Sequence, residues 1–222
     1  MQVKLVGYTQ PVNMIGIDNV QDLISFCARV SNPSNQMNME TSERLLNYLV
    51  KHKHWSPFEM ASATLEIDTT RDIAHQIVRH RSFAFQEFSQ RYADPSDMGN
   101  QFVYREARLQ DPKNRQNSVE LDAEKDKELK LGWFDQQQKV IEAAEKAYRW
   151  AIEHGIAKEQ ARCVLPEGNT KTRLYMQGTI RSWIHYIELR GANGTQKEHM
   201  EIAKACAEAI KIIFPLAEKY VA

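Results

Sequence analysis

A half-buried strand pattern, followed at once by helical periodicity, is the sequence feature that most constrains the fold. In residues 60–68, apolar and polar side chains alternate, as they do in a strand with one buried face. Residues 71–81 then repeat apolar side chains at helical spacing, and Thr69 or Thr70 is suited to cap that helix. The chain is therefore predicted to contain both a half-buried sheet and helices.

The other predicted elements follow one another without regular alternation of strand and helix. Extended patterns lie at residues 3–8, 86–92, 102–109 and 173–177. Helical patterns lie at residues 20–30, 131–153, 156–165, 180–190 and 197–213, and in a helix capped by Ser42 that ends near residues 52–54. This order predicts an α+β fold, in which a mixed β-sheet packs with long helices, and argues against a doubly wound sheet.

Composition limits the class of protein. The chain has 222 residues, 42% of them hydrophobic, which is enough for a proper core, and we expect a single domain over residues 1–222. The 29 basic and 29 acidic side chains cancel, so no overall field attracts the chain to nucleic acid or to a membrane surface. Residues 110–130 are crowded with charge and predict a mobile insertion or the solvated start of a helix.

The sequence lacks the patterns typical of export, membrane insertion and metal binding. No apolar run approaches the length of a membrane span, and the first six residues lack the features of a signal peptide. The chain has an odd number of cysteines, and they lack metal-ligand spacing: Cys27, Cys163 and Cys206. The histidines at positions 52, 54, 75 and 80 lack such spacing too. We therefore expect a cytoplasmic protein without a metal site.

Residues 79–91 concentrate groups that bind anions. Gln76 and Arg79 lie off the apolar face of the predicted helix and, being three residues apart, can converge on one ligand. Arg79 and Arg81 would repel each other unless an anion such as a phosphate lay between them, and the guanidinium fork suits a phosphate. The segment therefore predicts a site for a phosphate or a carboxylate.

The second half of this segment adds further polar groups. Ser89 and Arg91 are two apart in a predicted strand, so they are expected to project to the same side. Glu87 is the one acid in the segment, and ion pairing within it therefore leaves most of its arginines without a partner. Anion binding is the interpretation that the whole segment favours.

The segment resembles the signature of the flavin-dependent thymidylate synthases, Arg-His-Arg-x-x-Ser-x-x-x-x-Ser-x-Arg. Every fixed position matches except the first serine, where this chain has Ala84. Four other stretches resemble family elements in the same order along most of the chain: residues 28–31, 54–59, 161–166 and 181–190. Residues 110–130 are the part that resembles the family least.

The resemblance implies an activity and an assembly. Members of this family bind FAD and deoxyuridine monophosphate (dUMP) side by side at a homotetramer interface. NADPH reduces the flavin and methylenetetrahydrofolate supplies the carbon, so that dUMP becomes dTMP for dTTP biosynthesis. The resemblance further implies that no protein nucleophile attacks the substrate. Arg190 is the implied catalytic residue, expected near N3 and O2 of the uracil ring.

The resemblance also implies two sets of binding residues. The implied dUMP site consists of Gln76, Arg79, Glu87, Phe88, Ser89, Gln90, Arg91, Arg162 and Arg190. The implied FAD site consists of Ser31, His54, Ser56, Arg79, His80, Arg81, Glu87, Thr179, Ile180, Arg181 and His185. Thr179 and His185 stand where the family usually has asparagine, and both side chains can still form hydrogen bonds.

Three other functions stay open at this point. Thymidylate synthesis through a cysteine nucleophile would use Cys163, which lies beside the positively charged Arg162, although a free cysteine is more commonly a small buried hydrophobe. The arginines and nearby aromatic residues would suit single-stranded RNA, but the neutral net charge argues against it. A flavin reductase that only oxidises NADPH would share the flavin and lack the methylation.

Overall fold

An antiparallel sheet forms the centre of the fold, as seen in a computed structural model that describes residues 1–12, 16–99 and 101–220. Its strands are β1 (Gln2–Tyr8), β2 (Ser62–Thr70), β3 (Ala84–Glu87) and β6 (Lys171–Thr179), and they lie in the order β1-β2-β6-β3. A separate hairpin consists of β4 (Arg108–Gln110) and β5 (Ser118–Glu120). The α+β class expected from the sequence is therefore confirmed. The predicted mixed sheet is wrong, because the three strand pairs of this sheet in the described residues are all antiparallel.

Seven α-helices accompany the strands in the described part of the chain. They are α1 (Val20–Ala28), α2 (Ser42–Lys51), α3 (Arg71–Ile77), α4 (Lys127–Glu153), α5 (Lys158–Ala161), α6 (Ile180–Gly191) and α7 (Lys197–Lys211). Short 3-10 turns complete the fold, at Pro33–Asn35, Ser56–Glu59, Pro95–Met98, Arg162–Val164 and Pro215–Tyr220.

One face of the sheet carries the core. Leu65 of β2 lies opposite Met176 of β6, and both side chains are fully buried. Helices α3, α6 and α7 cover this face with apolar side chains. Trp183 of α6 is completely buried, and its indole Nε1 donates to the backbone oxygen of Ala63, 3.1 Å away. The alternation that predicted β2 therefore reports its position between helices and solvent.

The boundaries of the third helix differ from the prediction. Thr70 occupies the cap position with extended backbone, but its hydroxyl donates to Asp72 instead of capping the helix. The helix ends at Ile77 instead of residue 81, and β2 runs directly into it. Arg79, expected on the helix beside Gln76, therefore lies in the loop that leads to β3.

Three other local predictions were wrong. Thr41, not Ser42, takes the cap position of α2, and the buried Ser42 is the first helical residue. Residues 86–92 are not one strand, because β3 ends at Glu87 and the chain turns where the amide of Tyr92 donates to the oxygen of Ser89. Residues 102–109 contain a single bridge, from Phe102 to Thr170, and the start of β4.

The charged stretch at residues 110–130 holds the end of the β4–β5 hairpin and the start of α4. That helix begins at Lys127, one turn before the predicted start, and ends at Glu153. Gly155 follows with a φ of +76°, a left-handed conformation that suits glycine after a helix. Among the residues described, no helix is both long and apolar enough to cross a membrane.

Candidate functional site

The loop between α3 and β3 holds three of the four basic residues of the signature, Arg79, His80 and Arg81. Phe83 anchors this loop, since its ring packs on Trp183 with 4.8 Å between centroids. A Cβ atom on Gly178 would lie 2.4 Å from the Phe83 ring, so only glycine allows this close approach. Arg79 and Arg81 are exposed, and within the described ranges neither has a hydrogen bond or ion pair. They are therefore free to bind an anion.

His80 turns inward from the same loop and meets Arg190 of α6. The Arg190 Nε–H donates to His80 Nε2 at 2.9 Å, so His80 carries its proton on Nδ1. Burial, and then the neighbouring Arg190 charge, lower the pKa of His80 to about 4. A neutral imidazole thus accepts from a guanidinium that stays charged, and this contact fixes the plane of the Arg190 head.

A second histidine, His199 of α7, lies behind this pair and was not predicted from the sequence. It is fully buried, 3.1 Å from the Oε1 of Gln76 on one side and 3.1 Å from the hydroxyl of Tyr186 on the other. Burial, and then the charge of Arg190, lower the pKa of His199 to about 3. The structure therefore brings Gln76, His80 and Arg190 together around a neutral histidine.

The start of α6 gathers part of the predicted flavin set. The Thr179 hydroxyl accepts from the Ser182 amide at 3.3 Å and so caps the helix. Arg181 forms an ion pair with Glu59, in the 3-10 turn that also contains the exposed Ser56. The Ile180 side chain is fully buried, so only its backbone is available to a ligand.

His185 packs against Trp55, the residue that follows His54 in the sequence. The His185 ring meets the Trp55 ring edge-on at 4.5 Å, and burial followed by the Arg181 charge lowers the His185 pKa. His54 is exposed and lies 6.3 Å from the Tyr48 ring. Ser31 is exposed in the turn after α1.

Glu87 already has two partners within the chain, and both contact the same carboxylate oxygen, Oε1. It accepts a hydrogen bond from Thr172 at 2.8 Å and pairs with Arg71 at 3.4 Å. Phe88 continues the sheet edge by donating its amide to the oxygen of Arg173. A ligand at Glu87 would therefore share the carboxylate with two partners inside the chain.

Two of the remaining predicted residues, Arg91 and Arg162, form a second cluster around Glu159. Arg91 pairs with the Glu159 carboxylate at 3.2 Å, and Arg162 donates to the Glu159 backbone oxygen at 3.3 Å. The Ser89 hydroxyl accepts from the Arg91 amide within the turn, so the two side chains do not project together from a strand as predicted. Gln90 is buried, and its Nε2 has no hydrogen-bond partner.

The two clusters are separate in the chain. Among the described residues, no hydrogen bond, ion pair or ring contact joins the Arg91–Arg162 cluster to the Gln76–His80–Arg190 cluster. The structure thus groups the implied dUMP residues in two places. The described residues also contain no group of three or more His, Cys, Asp or Glu side chains placed to hold a metal ion.

A buried acid network, also missed from the sequence, lies next to His199. The side chain of Glu198 is 8% exposed and pairs with Arg108 and Arg105. Arg105 also pairs with Asp72 at 2.7 Å. The only sequence signal for this network was that Glu198 and His199 lie on the helix face that is apolar in the later turns of α7, and that signal does not identify their partners.

The buried histidines predict a specific dependence of stability on pH. A histidine whose folded pKa lies below its ordinary value binds fewer protons in the folded state, so the free energy of unfolding falls as pH decreases from 6.5. For His199 this loss should be about 1.5 kcal/mol between pH 6.5 and pH 5. The partly exposed His80 and His185 should add smaller losses in the same direction.

Urea unfolding at pH 6.5, 5.5 and 5.0 measures this effect, in a range where most carboxyl groups stay ionised. His199→Leu should flatten the slope, whereas His154→Leu, at an exposed histidine after α4, should leave it unchanged. Equal stability at the three pH values would contradict the assignment of neutral histidines.

Comparison with known proteins identifies the family to which the chain belongs. A family model described as thymidylate synthase complementing protein matches residues 12–216. A probable flavin-dependent thymidylate synthase of Paramecium bursaria Chlorella virus 1 is 49% identical, over 99% of this chain and 98% of that protein. A flavin-dependent thymidylate synthase of Synechocystis sp. is 47% identical, over 97% of this chain and 96% of that protein.

A solved structure has the same fold. The UMP/dUMP methylase PolB of Streptomyces cacaoi, in a crystal structure bound with 5-Br dUMP, superposes with a TM-score of 0.80. The superposition covers 99% of this chain and 93% of that one, at 24% sequence identity. The resemblance inferred from residues 79–91 is therefore confirmed, and the chain belongs to the flavin-dependent thymidylate synthase family of enzymes.

Proposed function

We propose that this protein converts dUMP to dTMP by reductive methylation, with FAD as its cofactor and NADPH and methylenetetrahydrofolate as co-substrates. The observation that carries the proposal is the loop at residues 78–83, which lies beside the fixed His80–Arg190 pair and exposes Arg79 and Arg81, neither of which has a partner among the described residues. The names of the relatives support the flavin and the thymidylate product.

The residues present fit a bound flavin nucleotide. Its pyrophosphate carries charge that needs cationic donors, and Arg79 and Arg81 are exposed donors on an anchored loop. The capped start of α6 adds the backbone amides of a helix N-terminus, which favour anions. When bound and reduced, FAD would supply the hydride, and the protein supplies binding and orientation.

Arg190 is proposed to activate the uracil ring. Its Nε–H is engaged by His80, which leaves the two Nη groups to face a ligand in a fixed plane. A guanidinium held in this way stabilises negative charge that develops on the ring oxygen and nitrogen. His80 accepts no proton in this scheme, because its pKa of about 4 keeps it neutral near pH 7.

The phosphate of dUMP is proposed to bind Arg91 and Arg162 with Ser89, while Gln76 and Arg190 hold the rest of the nucleotide. Because the two clusters share no contact within one chain, we propose that they meet across subunits of a homotetramer. Arg91 and Arg162 would then exchange their contacts with Glu159 for contacts with the incoming phosphate. Sedimentation analysis of the purified protein tests the assembly, and a monomer would contradict it.

Release of the C5 hydrogen from labelled dUMP tests the function directly. Release should require FAD, NADPH and methylenetetrahydrofolate together, and the purified protein should show flavin absorbance. Release that does not depend on flavin would contradict the proposal. Oxidation of NADPH without C5 release would indicate a flavin reductase instead.

A thiol nucleophile predicts a different result from the proposed mechanism. Cys163 is exposed in the 3-10 turn at Arg162–Val164, and no reactive partner is recorded beside its thiol in the described residues. Cys163→Ala should therefore keep turnover within about twofold of the unchanged protein, because the chemistry needs no covalent bond to the protein. Loss of all turnover with flavin and dUMP binding retained would show that the thiol is the nucleophile.

A further inference from the structure

A chain of four hydrogen bonds runs from the core to a buried carboxylate. The Tyr186 hydroxyl meets His199 Nε2, and His199 Nδ1 meets the Oε1 of Gln76, at 3.1 Å each. The Nε2 of Gln76 donates to the Oε1 of Gln196 at 2.8 Å, and the Nε2 of Gln196 donates to Glu198 at 3.0 Å. Every member of this relay touches the next.

The carboxylate of Glu198 fixes the direction of the whole relay. Burial alone would raise the pKa of Glu198, but hydrogen bonds from Arg108 and others hold that pKa below its ordinary value, so the group is charged. A carboxylate only accepts hydrogen bonds, and Gln196 must therefore offer its NH2 group to Glu198 and its oxygen to Gln76. Gln76 must in turn offer its NH2 group to Gln196.

The same argument fixes the tautomer of His199. Since the Oε1 of Gln76 faces His199 Nδ1, that nitrogen must carry the proton and donate it. The Nε2 atom is then bare and accepts from Tyr186. Reversing any one amide would place two acceptors or two donors against each other, so the relay has a single consistent arrangement.

We propose that His199 is a positioning residue for dUMP, which acts through Gln76 and holds the free N–H of its amide toward an acceptor oxygen of the nucleotide. Of the two N–H bonds on the Gln76 amide, one is used by Gln196, and the other is left for a ligand. This inference rests on the proposed function, because it takes dUMP as the ligand of Gln76. Gln196 and Glu198 set the orientation of the Gln76 amide.

The tautomer of His199 can be measured without dUMP. Solid-state ¹⁵N spectra of the FAD-loaded protein with labelled histidine rings should show His199 only as the Nδ1–H form, with the resonance assigned by its loss in His199→Leu. Gln196→Leu, at an exposed residue outside the core, should give a mixture of tautomers because the link to Glu198 is broken. An Nε2–H form in the unchanged protein, or an undisturbed Nδ1–H form in Gln196→Leu, would contradict the relay.

Binding of dUMP to the same protein tests the functional part. His199→Leu removes the bond to Gln76 and should weaken dUMP binding about three- to tenfold, with turnover at saturating dUMP little changed. His199→Asn keeps an N–H close to the position of Nδ1 and should restore most of the affinity. Gln196→Leu should weaken binding to a similar extent, and His154→Leu, at an exposed histidine, should not.

These results separate the inference from the proposed function. If the unchanged protein fails to bind dUMP, the proposed function is wrong. If it binds dUMP normally and His199→Leu and Gln196→Leu bind it equally well, the inference alone is wrong. A purely structural His199 would lower the unfolding temperature of both His199 variants without the rescue of dUMP affinity in His199→Asn.

Discussion

Replacement of Arg190 by alanine is expected to lower turnover of dUMP about 100- to 1000-fold, the usual effect of removing one preorganised charge from a reaction centre. The guanidinium would no longer stabilise negative charge on the uracil ring. Bound FAD should be retained, because Arg79 and Arg81 lie on a separate loop that Phe83 anchors. The C5-release assay and the flavin absorbance of the purified variant measure the two properties.

Two variants make this result specific. Arg190→Lys keeps a positive charge but removes the Nε–H that His80 accepts, so it should recover only a small part of the activity. Arg149→Ala removes an exposed arginine of α4 that pairs with Glu145, and it should be as active as the unchanged protein. Full activity of Arg190→Ala would remove Arg190 from the chemistry.

Replacement of Glu198 by glutamine is expected to lower the free energy of unfolding by about 3 kcal/mol, as happens when one partner of a buried ion pair is removed. Arg105 and Arg108 would lose a shared counterion at a site where their side chains are 16% and 12% exposed. Arg105 would keep Asp72, which limits the loss. Urea unfolding at pH 7 gives the value.

Glu120→Gln is the matched control. Glu120 pairs at 2.7 Å with Lys197, the residue next to Glu198 in the sequence. The Glu120 side chain is 74% exposed. Water screens such a pair, so its loss should change stability far less than the loss of Glu198. Equal stability of the two variants would show that burial does not strengthen the Glu198 network.

Local patterns predicted those elements whose burial is periodic. Strand β2 was found because every second residue, such as Leu65 and Ile67, is buried in the core. Helix α6 was found for the same reason, through Trp183 and Ile184. A periodic pattern indicates which face of a helix or strand is buried, and it can be recognised from neighbouring residues alone.

The end of α3 was mispredicted because it depends on a distant contact. Val78 continues the apolar periodicity of the helix, yet its side chain is 36% exposed and the helix has already ended. The following loop is held by Phe83 against Gly178, a residue of β6. No residue near position 78 carries that information.

The site was only partly predictable for a similar reason. The resemblance supplied Gln76, His80 and Arg190, and the structure brings them together. It did not supply His199 or Glu198, whose partners lie far away in the sequence. The separation of the Arg91 cluster from the Arg190 cluster was also hidden, since sequence order carries no distance between loops.

The Phe83 anchor has a consequence for the thermodynamics of ligand capture. A free arginine loop would lose conformational entropy when it closes on a phosphate, and that loss would weaken binding. Here the ring of Phe83, seated on Gly178 and Trp183, has already restricted the backbone that carries Arg79 and Arg81. Much of the loop backbone is therefore ordered during folding. Nucleotide binding then mainly restricts the rotamers of the two arginine side chains.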